Sequence, residues 1–206
     1  MTTRGIAVAS VTAATMLADM LVPACSVKAA PSSTAPGAAT SVSAGSSASM
    51  PAAATDYTAL LIQGSDISST PPNVFTPAQP PIQNPNEMPG AAVVFKNQDD
   101  SNLIGDTVLV LTDAGAAANA MNGSVASLGN TVTGGDPQPL SVGNGGTMVA
   151  GTSPDKSKAV TVLLYTEGKA FVTLEFDGEP GDFVAADYAL GVAQQQDAAI
   201  KKKLAG

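Results

Sequence analysis

Residues 159–176, Ala159-Val160-Thr161-Val162-Leu163-Leu164-Tyr165-Thr166-Glu167-Gly168-Lys169-Ala170-Phe171-Val172-Thr173-Leu174-Glu175-Phe176, decide the fold. In the first half Val160, Val162 and Leu164 alternate with Thr161, Leu163 and Tyr165. In the second half Ala170, Val172, Leu174 and Phe176 alternate with Phe171, Thr173 and Glu175. Period-two alternation puts successive side chains on opposite faces of a strand, and a mainly apolar face asks for a covering layer. Glu167-Gly168 reads as the tight turn between two paired strands. The unit is therefore a hairpin packed on helices.

Upstream of it, Ser153-Pro154-Asp155 reads as a turn and Thr147–Gly151 as a strand. Thr131–Thr133 reads as a short strand followed by a Gly/Pro loop. Asp113 has the chemistry of an N-cap for an alanine-rich helix up to Leu128, which Gly129-Asn130 ends. Ala91–Lys96 and Leu103–Leu111 are two further strands joined through a turn at 97–102. Downstream, Val184, Tyr188, Val192, Ile200 and Leu204 share one face of a helix starting at Asp182 or Val184. Lys201, Lys202 and Lys203 put favourable positive charge at its C-terminus. Strand, strand, helix, several hairpin strands and a helix give the class: α+β, a mainly antiparallel sheet packed with two principal helices as an α/β sandwich.

The N-terminal third is organised differently. Residues 68–90 hold seven prolines, each lacking a backbone donor, and so predict an extended surface loop that Val74, Phe75 and Ile82 pin to the core. Before it, Tyr57, Leu60, Leu61 and Ile67 predict one or two helical turns. Residues 26–55 are nearly all Ala, Ser, Pro, Thr and Gly, too poor in bulky apolar side chains to offset the entropy of ordering. They read as a tether, with Thr34, Thr40 and Thr55 as candidate O-glycosylation positions. Arg4, an apolar run to Val22, and Pro23-Ala24-Cys25 have the layout of a bacterial secretion signal ending at a lipid-attachment cysteine. Asp19 and Pro23 depart from the usual pattern, and cleavage after Ala29 with soluble secretion, or an uncleaved anchor, are the alternatives. A diacylated Cys25 would moor the chain to a membrane, because each buried methylene contributes about 0.8 kcal/mol. The expected organisation is a signal over 1–24, a lipid-anchored tether over 25–56 and one domain over 57–206.

Composition narrows the function classes. The 206 residues include 9 basic and 17 acidic side chains, a net charge of −8, and loss of Arg4 with Asp19 leaves that balance unchanged. Nucleic acid and electrostatic adhesion to anionic lipid both need basic patches. There is no His, so Ser–His–Asp and Cys–His catalysis and His-based zinc sites are excluded. Gly143-Asn144-Gly145-Gly146 lacks a Walker lysine and reads as a turn before a strand. Asp177-Gly178-Glu179 with Asp182 is a candidate Ca²⁺ loop without EF-hand spacing, and its simpler reading is a turn plus a helix N-cap from Asp182. Asp99-Asp100 reads as a solvated hairpin turn. Glu175 with Asp106 would make a glycosidase-like pair only if the carboxyl groups stood about 5–9.5 Å apart in a cleft.

In layout the chain resembles the LpqN-type lipoproteins of the mycobacterial cell envelope. The residues that carry the likeness come in one order. They are Cys25, the Ala/Ser/Thr/Pro tether, Gly90-Ala91-Ala92-Val93-Val94-Phe95, Thr107–Leu111, Gly145–Gly151, Ala159–Tyr165, Lys169–Phe176 and the final helix. That family is similar to Mog1/PsbP-like α/β sandwiches. The extracellular sensor domains of some mycobacterial receptor kinases have a comparable order but carry disulfides, and a single Cys can form none within this chain. The resemblance implies an envelope location and binding of a protein or ligand, and it supplies no catalytic residue, cofactor or metal site. The expectation is a non-enzymatic binding or interaction module, held to the membrane through Cys25, engaging another envelope protein or an apolar ligand. A carrier of envelope lipid or small apolar molecules is the alternative, and a carboxylate-based hydrolase the third. The small side chains of the 113–128 helix leave room for a cavity or allow close packing, and close packing is the preferred reading.

Overall fold

A computed structural model describes residues 55–68 and 73–204. The expected signal over 1–24, the lipidation residue Cys25, Thr34, Thr40 and the tether up to residue 54 lie outside the described residues. The described chain is mixed α+β, one antiparallel eight-stranded sheet with three helices. The strands are β1 (Thr76–Pro77), β2 (Ile82–Gln83), β3 (Gly90–Lys96), β4 (Leu103–Val110), β5 (Gln138–Leu140), β6 (Gly146–Thr152), β7 (Ala159–Glu167) and β8 (Ala170–Gly178). The helices are α1 (Gly64–Ile67), α2 (Ala114–Ser127) and α3 (Ala186–Leu204).

Strand order is β1-β3-β4-β8-β7-β6-β5, with β2 also on the outer edge of β3. Most neighbours are sequential hairpins. The exceptions are the β1–β3 and β4–β8 pairs, and the connection from β4 to β5 carries α2 over one face of β7 and β8. The β7–β8 hairpin forms as expected, but its turn lies one residue later than Glu167-Gly168, with Thr166 opposite Phe171 and Glu167 still paired opposite Ala170. Its turn is Gly168-Lys169, and Gly168 sits at φ +53°, a left-handed conformation that glycine adopts without a Cβ clash.

Strand parity sorts the core into two halves. Val93, Phe95, Ile104, Val108, Leu163, Tyr165, Val172, Leu174 and Phe176 point to one face, where α3 and the segment Leu60–Ile67 cover them. Val149, Val160, Val162, Leu164 and Phe171 point to the other, beneath Ala117, Met121, Val125 and Leu128 of α2 and its end. Asp113 caps α2 as expected, accepting from the Ala116 N–H at 2.8 Å. Ala117 is fully buried, so this helix packs closely on the sheet.

Four local expectations are corrected. Thr131–Thr133 contributes a single bridge, Thr133 to Thr152, because the chain is still leaving the 3-10 turn at Leu128–Asn130. The Gly/Pro loop after it contains β5, an edge strand that tolerates Pro139. The proline-rich run is stitched to the sheet edge by β1 and β2. Phe75 is buried there, whereas Ile82 is 50% exposed and pins nothing. The last helix starts at Ala186, and Asp182 lies in the preceding loop, where its N–H donates to Glu179 O at 2.9 Å.

Candidate functional site

The start of β4 and the end of β8 pair at one end of the sheet, Leu103 opposite Asp177 and Ile104 opposite Phe176. The chain then turns back against the strand it has just left. A Cβ on Gly178 would run into the carbonyl oxygen of Asp182, so glycine allows that close return. Asp182–Ala185 continue without helix to α3. Opposite them, Phe75 is held by its N–H bond to Ser68 Oγ at 3.0 Å, and Ser68 Oγ–H donates to Gly64 O at 2.5 Å.

These elements enclose a pocket of about 330 Å³. Phe75, Ile104, Phe176, Phe183, Val184 and Tyr188 supply its apolar walls, and Asn73, Asn102, Asp177 and Asp182 its polar ones. Phe176 and Tyr188 meet edge to face, centroids 6.3 Å apart and planes at 74°. The Tyr188 hydroxyl donates to Ile67 O at 2.5 Å, which fixes the ring, and burial pushes that hydroxyl up to about 12. Phe183 stands 46% exposed, an unusual position for a large apolar ring.

The carboxylates around the pocket have distinct partners. Asp177 Oδ2 accepts from Lys158 Nζ at 2.7 Å, while its Oδ1 is buried without a hydrogen-bond partner among the described residues. Glu175 shares that face of β8. Burial, and secondarily the charge on Asp177, push its carboxyl above the usual range, against the pull of Lys158. A smaller hollow of about 230 Å³, lined by Asp100, Lys158 and Glu179, adjoins Asp177. Another of about 170 Å³ places Glu175 against Ser124, Leu128 and Thr131 at the end of α2.

The paired-carboxylate reading of Glu175 with Asp106 is corrected by register. Glu175 lies opposite Gly105, and Asp106 opposite Leu174. Successive residues of a strand face opposite ways, so the sheet separates the two acids. Asp106 is fully buried on the α3 face, and neither carboxyl oxygen has a hydrogen-bond partner among the described residues. Burial pushes its carboxyl up to about 8, with the Ile62 N–H pulling weakly the other way. Beside it the Tyr165 hydroxyl donates to Ala193 O at 3.1 Å, and burial with the charges of Asp106, Asp197 and Glu167 raises that hydroxyl further above its usual range. Gln196, which sequence reading did not single out, ties down the opening segment. Its Oε1 accepts from Ile62 N–H at 2.9 Å and its Nε2 donates to Leu60 O at 2.7 Å.

The remaining sequence candidates have structural positions. Asp99 Oδ1 accepts from Ser101 N–H at 3.2 Å and Ser101 Oγ–H at 2.7 Å, which holds its carboxyl below the usual range. Asp100 pairs with Lys96 at 2.8 Å across the same turn. Asn144 in the Gly143–Gly146 turn accepts from Gly168 N–H at 2.7 Å and braces the β7–β8 turn. Asp177, Glu179 and Asp182 do not form a metal-holding group, and no cluster of three or more His, Cys, Asp or Glu does so among the described residues. Lys201 at the end of α3 pairs with Asp197 at 2.7 Å and Glu167 at 3.5 Å.

No protein-family model matches the chain, and no curated protein or solved structure matches it. The functional reading therefore stands on its residues and its pocket.

Proposed function

We propose that this chain is an extracytoplasmic, lipid-anchored binding module of a cell envelope, moored through Cys25 and presenting the pocket between β4, β8 and α3 to a ligand. The pocket is the observation that carries the binding half. It has aromatic walls with a few polar groups, the usual make-up of small-molecule sites, and its volume of about 330 Å³ sits at the low end of their range of about 300–1,000 Å³. That size suits a small molecule better than a two-chain lipid, which favours a binding module over a lipid carrier. The His-free composition supports binding over catalysis. The signal-like run ending at Cys25 and the layout resembling LpqN-type lipoproteins support the address. No helix among the described residues is long and apolar enough to cross a membrane, so attachment would rest on the lipid.

Two measurements test this. Radiolabelled palmitate should enter the wild-type chain and not Cys25→Ala, and water-soluble native material beginning after Cys25 would overturn the anchor. Native mass spectrometry of the envelope-purified protein should show a co-purifying small molecule that Phe183→Ala loses. Ligand retained equally by that variant would move binding away from this pocket.

A further inference from the structure

We propose that Leu60–Ile67 is a strap that opens when Asp106 takes on charge, and that its opening frees two walls of the pocket. The device goes beyond the binding reading and needs no ligand. Asp106 is fully buried on the face that the strap covers, and neither carboxyl oxygen has a hydrogen-bond partner among the described residues. Its neighbours on the flanking strands are apolar, Val93 on β3 and Leu174 on β8. From the strap the Ile62 N–H faces it, but that hydrogen goes to Gln196 Oε1 at 2.9 Å. From β7 the Tyr165 hydroxyl lies beside it and donates to Ala193 O. The other charges felt by that hydroxyl, Asp197 on α3 and Glu167 at the end of β7, are acidic, and Lys201 pairs with those two. Asp106 makes no ion pair among the described residues. A buried carboxylate without partners is unfavourable until water reaches it.

The strap is the cover that yields first. β3, β4 and β8 are held to one another by continuous ladders. The strap is short helical turns whose backbone bonds are local, Leu61 N–H to Thr58 O and Asp66 N–H to Gln63 O. Its hydrogen bonds to α3 come from two side chains, Gln196 on Leu60 and Ile62 and Tyr188 on Ile67. Elements held in this way open before a sheet does. Tyr188 is a wall of the pocket, and so is Phe75, whose N–H donates to Ser68 Oγ directly after the strap. Opening the strap lets go of both. A wetted Asp106 ionises near 3.9, and the sealed one near about 8. Opening therefore becomes up to about tenfold more frequent with each pH unit between those values, and levels off above them.

Native-state amide exchange of the full chain from about pH 5 to about pH 7.5, corrected for intrinsic rates, tests this. Protection at Leu61, Ile62 and Phe75 should fall about a hundredfold. At the upper pH these amides should exchange about tenfold or more faster than Leu163 and Val172 in the sheet, and urea should accelerate them less, the mark of a local opening. Asp106→Asn should flatten the pH dependence, whereas Tyr188→Phe should speed exchange in the strap at every pH and keep the slope. Should Asp106→Asn fail to fold, the wild-type contrast between Ile62 and Leu163 decides. Strap and sheet amides exchanging at one rate, with one urea response, overturns the strap, because charge on Asp106 then opens the whole fold. Protection at Ile62 that ignores pH overturns the role of Asp106. Protection at Phe75 that holds while that at Ile62 falls overturns the release of the pocket.

Discussion

The two helices that cover the sheet do different work. α3 buries Ala189, Val192, Ala193, Gln196, Asp197 and Ile200, whereas α2 buries only Ala117. The α3 face is closed by a second layer, the segment Leu60–Ile67, and it holds Asp106 out of water altogether. The α2 face is roofed mainly over β7 and part of β8, and Thr173, Glu175 and Asp177 on β8 stay partly wet. A sealed face must satisfy its polar groups internally or keep them uncharged. A half-roofed one leaves them to solvent and to Lys158. The pocket opens at the end of the sealed face, where apolar walls from β4, β8 and α3 run out into a polar loop.

The strongest break in this comparison is a cavity on each side. Leu174→Ala on the α3 face should cost about 2–5 kcal/mol in urea unfolding, and Val125→Ala on the half-covered α2 only about 1 kcal/mol. Equal losses would mean the two faces are equally packed. Next is Gln196→Ala, which strands the Ile62 N–H and Leu60 carbonyl and should cost about 2–3 kcal/mol. Amide exchange at Leu60–Ile62 should speed up with it, and unchanged exchange would detach Gln196 from the role assigned to it.

The third comparison is electrostatic. An aspartate in the unfolded chain ionises near 3.9, and folded Asp106 near about 8. Stability from this group is therefore complete below about pH 4 and is lost as pH rises toward 8, by up to about 1.4 kcal/mol per unit. Asp106→Asn should gain on the wild type steadily from pH 4.5 to 7.5. Glu175→Gln, whose carboxyl is also raised but partly wet, should gain less over the same range. Identical slopes would erase the contrast between the faces. The smallest effect is Asp113→Ala, which removes the cap of α2 at a cost of about 1 kcal/mol, read from thermal melts.

What sequence made legible follows from how local each signal is. The β7–β8 hairpin, the β3 and β4 strands and the Asp113 cap each declare themselves within a few residues, and all stand in the fold. β5 was hidden because Gly134, Gly135 and Pro137 before it and Pro139 within it carry loop chemistry, although Gln138–Leu140 pair along a sheet edge. Asp106 was visible in phase with Ile104, Val108 and Val110, and that period-two placement is the signal that an acid faces the core. Gln196 and Asp197 likewise fall one helical turn after Val192 and Ala193, though their polarity masked it. The pocket had no local signature, since its walls at 73–75, 102–104, 176–178 and 182–188 meet only through the β4–β8 register.

Both rims of the sheet carry proline within very short strands, Pro77 in β1 on one side and Pro139 in β5 on the other. Each proline withholds one hydrogen that a neighbouring chain would need to grip. Copies of this molecule crowded side by side would thus lack a template for strand-by-strand growth. They could stand at high concentration without polymerising into fibrils.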